Sequence, residues 1–332
     1  MICRRTLLAG STAALALAAP VHLRAQTVST ARLRAAAGAL DQLHSLSISV
    51  RNETVLAEAF RGPSLARAAP VKSVSKSLVA LCLGAALDRG VVAGVNERLG
   101  DVAPALIPTG ADPRVADLTL ANLVTMQAGL ERTSGANYGD WVSSRNWVAD
   151  ALSRPFVAEP GSGMLYSTGS FHILGAALAE ASGRTLLTIM RDWVGDPLGI
   201  DIPAWTRDPQ GYYLGGNEMA LRPEDMLRIG EMVATDDGSV LSRDWIAASM
   251  QPRTRSRWSG LGYGYGWFLG RADGTRFSLA RGYGGQILCI LPERQTVIAI
   301  TSDPTRPARS GGYFSDLMGL IAREILPTLR SV

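Results

Sequence analysis

The sequence predicts an α+β protein: an antiparallel sheet built from both chain ends, flanking helices, and a mainly helical lobe. Three observations predict it. Two strand-like runs lie near the N-terminus, LSISV (46–50) and TVLAEAF (54–60), joined by a hairpin turn around residues 51–53. Strand-like runs return after residue 261, as GYGYGWFLG, TRFSLA, GQILCILP and QTVIAI, parted by Gly, Asp-Gly and Pro. Short turns demand antiparallel pairing, and the helical patterns in between show no regular strand–helix alternation, which excludes a doubly wound parallel sheet. With 332 residues, 47% hydrophobic and 19% charged, the chain can bury a large core and is neither disordered nor a cysteine-stapled mini-protein.

Residues 1–25 read as an export signal. Arg4 and Arg5 precede the apolar run TLLAGSTAALALAAP, with a plausible cleavage point after Ala25. The run is shorter than the roughly 20 apolar residues of a membrane-spanning helix. The paired arginines followed by Thr6, Leu7 and Leu8 resemble a twin-arginine signal. Residues 26–332 are then expected as an exported, periplasmic domain with no stable membrane span. Without residues 1–25 the chain loses Arg4, Arg5 and Arg24 and no acid, so its formal net charge falls from +4 to +1. No basic tract remains to track nucleic acid, and Arg253, Arg255 and Arg257 read as a solvated loop, with an anionic-substrate contact as the alternative.

The elements follow in order. Residues 31–44 read as an amphipathic helix from the spacing of Leu33, Ala36, Ala37, Leu40 and Leu43. After the hairpin, SLVALCLGAALDRG (77–90) reads as an apolar helix ending near Gly90. TLANLVTMQAGL (119–130) reads as a short helix and turn, followed by a loop with Gly135, Asn137, Tyr138 and Gly139. SSRNWVADALS (143–153) reads as a helix capped by Ser143 or Ser144. Further helices are expected over 172–183, 185–194, 221–238, 243–250 and 313–329. The α/β lobe is expected from about 30–70 and 260–332, and the helical lobe from about 71–259.

Cys82 and Cys289 lie in apolar runs and read equally as a disulfide or as two buried thiols. There is no C-x-x-C, and the only histidines are His22, His44 and His172, so neither a metal nor a cofactor is expected.

Three stretches carry chemistry. In PVKSVSKSLVA (70–80), Ser73 and Lys76 are one helical turn apart, which puts both side chains on one face. A neutral lysine can accept a serine proton if burial depresses its pKa. Beyond residue 25 the chain holds two lysines, Lys72 and Lys76, against 28 arginines, and arginine cannot act as a base near neutrality. In EPGSGMLYSTGS (159–170), Tyr166 follows a Pro-Gly turn and could relay a proton beside an ammonium. In LARGYGGQILCILPE (279–293), Gly282, Gly284 and Gly285 open a strand whose backbone a substrate could approach, with an N–H near Gly285 as an oxyanion donor.

Together these stretches resemble the serine β-lactamase/penicillin-binding-protein fold family, especially its class C-like esterase and 6-aminohexanoate-dimer hydrolase branches. LTLANLVTMQAGL (118–130), PGSGMLYSTGSFHILGAAL (160–178), YGYGW (263–267) and RGYGGQ (281–286) support the resemblance, which spans about residues 30–330. It implies a β-lactamase/transpeptidase-like fold, with Ser73 as nucleophile, Lys76 as its base partner and Tyr166 as proton relay. It further implies the N–H groups of Ser73 and Gly285 as oxyanion donors, Tyr138 as a substrate-facing tyrosine, and Gly282, Tyr283 and Gly284 as substrate-binding residues. Two departures stand out. Thr168 occupies the place of the usual asparagine, and Gly282-Tyr283-Gly284 lacks the usual lysine and hydroxyl. Losing that cation weakens recognition of an acidic substrate, and strand alternation turns the adjacent Arg281 away if Gly282 faces the site. The resemblance therefore implies hydrolysis of a small-molecule carboxylic ester or linear amide. A β-lactamase or D,D-peptidase, and a catalytically silent cell-wall ligand-binding protein, stand as alternatives.

Overall fold

Leu43–Val50 (β1) and Glu53–Ala59 (β2) pair antiparallel about Arg51 and Asn52, which both adopt left-handed backbone angles (φ 51° and 64°). Two successive residues of this kind match the twist of the flanking strands. The computed structural model describes residues 21–235, 237–272, 274–308 and 312–329, with side-chain surroundings from residue 30. Most of the export-signal reading, residues 1–20, lies outside the described residues.

Ala69–Pro70 (β3) and Ala220–Leu221 (β4) form a small separate pair. The remaining strands come from the C-terminal third: Thr254–Arg255 (β5), Gly262–Tyr263 (β6), Phe268–Ala272 (β7), Thr275–Gly282 (β8), Gln286–Leu291 (β9) and Thr296–Ser302 (β10). The main sheet is antiparallel, in the order β2-β1-β10-β9-β8-β7-β6-β5. β1 thus pairs with β10, Leu46 opposite Ile300 and Ile48 opposite Ile298, so both chain ends build one sheet as the strand pattern predicts.

Helices cover the sheet. Pro223–Thr235 lies on β9, β10 and β1, and small residues let it approach. A Cβ at Gly230 would stand 2.3 Å from Val297 Cγ1. The N-terminal helix Val21–Gly38 meets the last helical turns, where Arg32 Nε donates to Glu324 Oε2 at 2.7 Å. Cys82 and Cys289 are buried free thiols, and burial raises both pKa values. Among the described residues no single helix is long and apolar enough to cross a membrane.

Three element readings need correction. The helix expected over 31–44 ends at Gly38, because Leu40 belongs to a turn and Leu43 and His44 already face the sheet as the start of β1. The helix expected to be capped by Ser143 or Ser144 begins at Trp147, capped by Asn146 Oδ1, which accepts from Ala149 N–H at 2.9 Å. Tyr138 opens a one-turn helix, Tyr138–Val142, pinned by the buried Trp141.

Gly230→Ala tests the helix–sheet approach. Alanine gains about 1 kcal/mol of helix propensity over glycine, while overpacking costs about 1–3 kcal/mol. With a 2.3 Å contact to absorb, we expect a net loss of about 1–2 kcal/mol in denaturant unfolding.

Candidate active site

The chain enters the site braced from two sides. Val71 N–H donates to Met219 O at 2.9 Å, extending the β3–β4 pair. Lys72 (φ 51°) and Glu218 (φ 66°) then both take left-handed angles, and their side chains pair across the gap at 3.1 Å. A tight turn, Lys72–Val74, holds Ser73 just ahead of the helix Ser75–Asp88, which begins two residues earlier than the apolar pattern predicts. Ser75 Oγ closes the turn by donating to Lys72 O at 2.6 Å. From the sheet side Ser77 Oγ donates to Gly266 O at 2.6 Å. Gly266 (φ 83°) is the glycine this approach requires, since a Cβ there would lie 2.5 Å from Ala80 Cβ.

Lys76 is 2% exposed. Its Nζ lies 3.1 Å from Ser73 Oγ, 3.2 Å from Thr168 Oγ1 and 2.7 Å from Gly216 O. Burial lowers its pKa, and the charge and hydrogen bonding of Tyr166 oppose that shift. A neutral amine has two hydrogens and one lone pair. Gly216 O and Thr168 Oγ1 can take the two hydrogens, which leaves the lone pair for the Ser73 hydroxyl. Lys76 Nζ lies 5.0 Å from the Tyr166 ring centroid, and that ring stacks on Phe268 at 6.4 Å.

Thr168 explains how the chain manages without the usual asparagine. It opens the helix Thr168–Ser182; its N–H donates to Ser134 Oγ at 2.8 Å, and its hydroxyl lies 2.9 Å from the same oxygen. Thr133 N–H donates to Ser167 Oγ at 3.0 Å, and Gly169 N–H to Thr133 Oγ1 at 2.7 Å. The 133–134 loop thus fixes the turn that carries Tyr166.

On the opposite wall, β8 ends against the Ser73 turn. A Cβ at Gly282 would lie 2.4 Å from Val71 O. Tyr283, 53% exposed, and the backbone of Gly284 line the cleft. The structure does not bring Gly285 there: its N–H donates to Gly282 O at 3.2 Å, and a Cβ would meet Tyr313 at 2.5 Å. The bend turns Gly285 toward the terminal helix and leaves Tyr283 at the cleft. Gln286 holds this bend, its Nε2 donating to Ser302 O at 2.9 Å and to Tyr283 O at 3.3 Å. Arg281, assigned by alternation to the far face, packs between the rings of Phe268 (4.2 Å) and Phe314 (4.9 Å) yet still reaches the cleft wall where the strand ends.

The cleft has a volume of about 700 Å³. Tyr138 lines it, and Asn217 Nδ2 donates to its hydroxyl at 2.9 Å. Burial raises the Tyr138 pKa, so its hydroxyl stays protonated. Three participants escape sequence reasoning: Gly216, whose carbonyl carries no side-chain signature; Asn217; and the buried pair His172–Asp208. His172 Nε2 lies 3.0 Å from Asp208 Oδ2, and Gly215 N–H points at His172 Nδ1 from 3.4 Å, directly behind Gly216. Among the described residues no group of three or more His, Cys, Asp or Glu could hold a metal.

A sheet flanked by helices, with a serine turn facing a buried lysine and a tyrosine across a cleft, defines the β-lactamase/transpeptidase architecture. Residues 44–322 match the Beta-lactamase family, and the chain belongs to it. Membership places it in the serine-hydrolase superfamily to which the class C-like esterase and 6-aminohexanoate-hydrolase branches also belong. The D-alanyl-D-alanine-carboxypeptidase/endopeptidase AmpH of Escherichia coli K12 is 30% identical over 155 residues, a stretch covering 44% of this chain and 39% of AmpH. The hydrolase EstCE1, described as having promiscuous acyltransferase activity, superposes with a TM-score of 0.75 at 18% identity, over 90% of this chain and 100% of that one. The D-amino acid amidase of Ochrobactrum anthropi SV3 gives 0.73 at 15% identity, over 91% and 99%. A Bacillus anthracis protein assigned as a 6-aminohexanoate-dimer hydrolase gives 0.73 at 15%, over 86% and 80%.

The lowered Lys76 pKa has a consequence for stability. Between that lowered value and the ordinary lysine value of about 10.4, the unfolded chain binds a proton that the folded chain does not. Stability therefore rises with pH across this window. Denaturant unfolding at a series of pH values is expected to show this rise in the wild type and its loss in Lys76→Met.

Proposed function

We propose that the protein is a serine hydrolase that cleaves carboxylic esters, and small linear amides, through an acyl-enzyme on Ser73. The observation that carries this reading is the buried Lys76 Nζ, 3.1 Å from Ser73 Oγ, with Gly216 O and Thr168 Oγ1 placed to take its two hydrogens. Ser73 Oγ attacks the carbonyl carbon while its proton passes to neutral Lys76, with Tyr166 at hand to relay it. The carbonyl π bond opens to an oxyanion, which the N–H groups of Ser73 and Tyr283 stabilise; Tyr283 takes the role the sequence assigns to Gly285. The oxyanion collapses, the ester or amide bond breaks, and the leaving alkoxide or amine collects the proton through Tyr166. Water then repeats the sequence on the acyl-enzyme, releasing the acid and restoring Ser73. Tyr138, its hydroxyl held by Asn217, faces the substrate.

The departure at Gly282-Tyr283-Gly284 favours ester and linear amide substrates over β-lactams. The AmpH likeness supports D,D-peptidase action as a second reading. The paired arginines and apolar run of residues 1–25 support export to the periplasm.

Two measurements test this reading. A fluorophosphonate probe should add covalently to Ser73, located by peptide mass spectrometry, and Ser73→Ala should lose both labelling and p-nitrophenyl ester turnover. Full turnover by that variant ends the proposal. Because the reactive form of Lys76 is the neutral amine, kcat/KM should rise with pH and level off around an ionisation below the ordinary lysine value of about 10.4. A flat profile through that range would remove Lys76 as the base.

A further inference from the structure

The late strand of this chain lacks a lysine, but the opposite wall of the cleft carries a cation. Arg132 lines the cleft with Ser73. It stands two residues before Ser134, whose Oγ lies 2.9 Å from Thr168 Oγ1, itself 3.2 Å from Lys76 Nζ. The guanidinium rests 5.1 Å from the ring centroid of Trp258, which is 49% exposed and comes from the far rim of the same cleft. Among the described residues it has no carboxylate within ion-pair distance. Among the described residues the one acid lining the cleft, Glu218, is already paired with Lys72. Arg281 adds a second positive charge, packed between two phenylalanine rings. Among the described residues, Arg132 is therefore a cleft-lining cation with no carboxylate paired to it.

We propose that Arg132 receives a carboxylate of the substrate, so that esters or amides bearing a carboxylate are preferred to neutral ones; this rests on the reading of Ser73 as nucleophile. A guanidinium resting over an aromatic ring is held without an ion pair, and its N–H groups match a carboxylate two at a time. Trp258 thus supports the guanidinium at the cleft. The backbone at Arg132 is held independently of its side chain, since Asn137 Nδ2 donates to the Arg132 carbonyl at 2.9 Å. Replacing the side chain therefore leaves the loop anchored.

The test uses matched substrates on the purified full chain: p-nitrophenyl valerate against the mono-p-nitrophenyl ester of glutaric acid for the acyl side, and 4-nitrophenyl acetate against 3-carboxy-4-nitrophenyl acetate for the leaving side. Ser73→Ala provides the uncatalysed rate. In one of the two pairs, the wild type should favour the charged member in kcat/KM by about tenfold or more, the preference falling as salt is raised. Arg132→Gln should collapse that charged-to-neutral ratio through KM, and Arg132→Lys should restore part of it. Two results overturn the proposal: no charged preference in either pair, or a preference that Arg132→Gln leaves intact. Failure of the wild type to hydrolyse even the neutral esters would strike the Ser73 reading instead, so the two failures are distinguishable.

Discussion

One buried amine organises this molecule. Lys76 sits where water cannot solvate an ammonium, and its nitrogen is held by partners from three parts of the chain: the Ser73 turn, Thr168 at the head of a helix, and the carbonyl of Gly216. An isolated charge in such a place would be costly. Burial tips the balance toward the neutral form, and the geometry then directs the lone pair at a hydroxyl. The fold can be understood as the means of keeping those three segments within about 3 Å of one nitrogen.

Each segment is braced from behind. Gly216 belongs to a run that continues into Met219, whose carbonyl accepts from Val71, and into the β3–β4 pair. Behind it, His172 and Asp208 form a fully buried contact beside Trp141 and Trp147, whose rings meet His172 edge-on. Thr168 is clamped by Ser134, and the helix of Lys76 is tied to the sheet through Ser77 and Gly266. Close approach without side-chain bulk recurs at Gly216, Gly266 and Gly282, and each contact presses a wall of the cleft against the Ser73–Lys76 unit. The left-handed angles at Lys72 and Glu218 are the conformational cost of aiming that unit outward.

What the sequence disclosed and what it hid follow from physics. Ser73 and Lys76 are legible because residues three apart share a face of a helical turn, and the scarcity of lysine singles them out. The sheet built from both ends is legible because hairpin turns dictate pairing sense. Gly216 is not, because its contribution is a backbone oxygen. Thr168 is visible only as a departure, since nothing local says that a hydroxyl will reach the lysine in place of an amide. Gly285 is misplaced by a single turn of chain: from its position alone one cannot see that its N–H closes back on Gly282 and leaves Tyr283 at the cleft. The overlong first helix has a similar origin, because the apolar spacing of Leu40 and Leu43 fits a helix face as well as a turn followed by a strand.

The pairing of β1 with β10 has a consequence for how the chain is made. Leu46 and Ile300 are direct partners across β1 and β10, yet they lie far apart along the chain, so one emerges from the ribosome long before the other. Until β10 arrives, one edge of the N-terminal hairpin stays open, with Ser45, Ser47 and Ser49 awaiting cover. A chain cut short before β10 is consequently an aggregation hazard, and the sheet can close only once β10 has been translated.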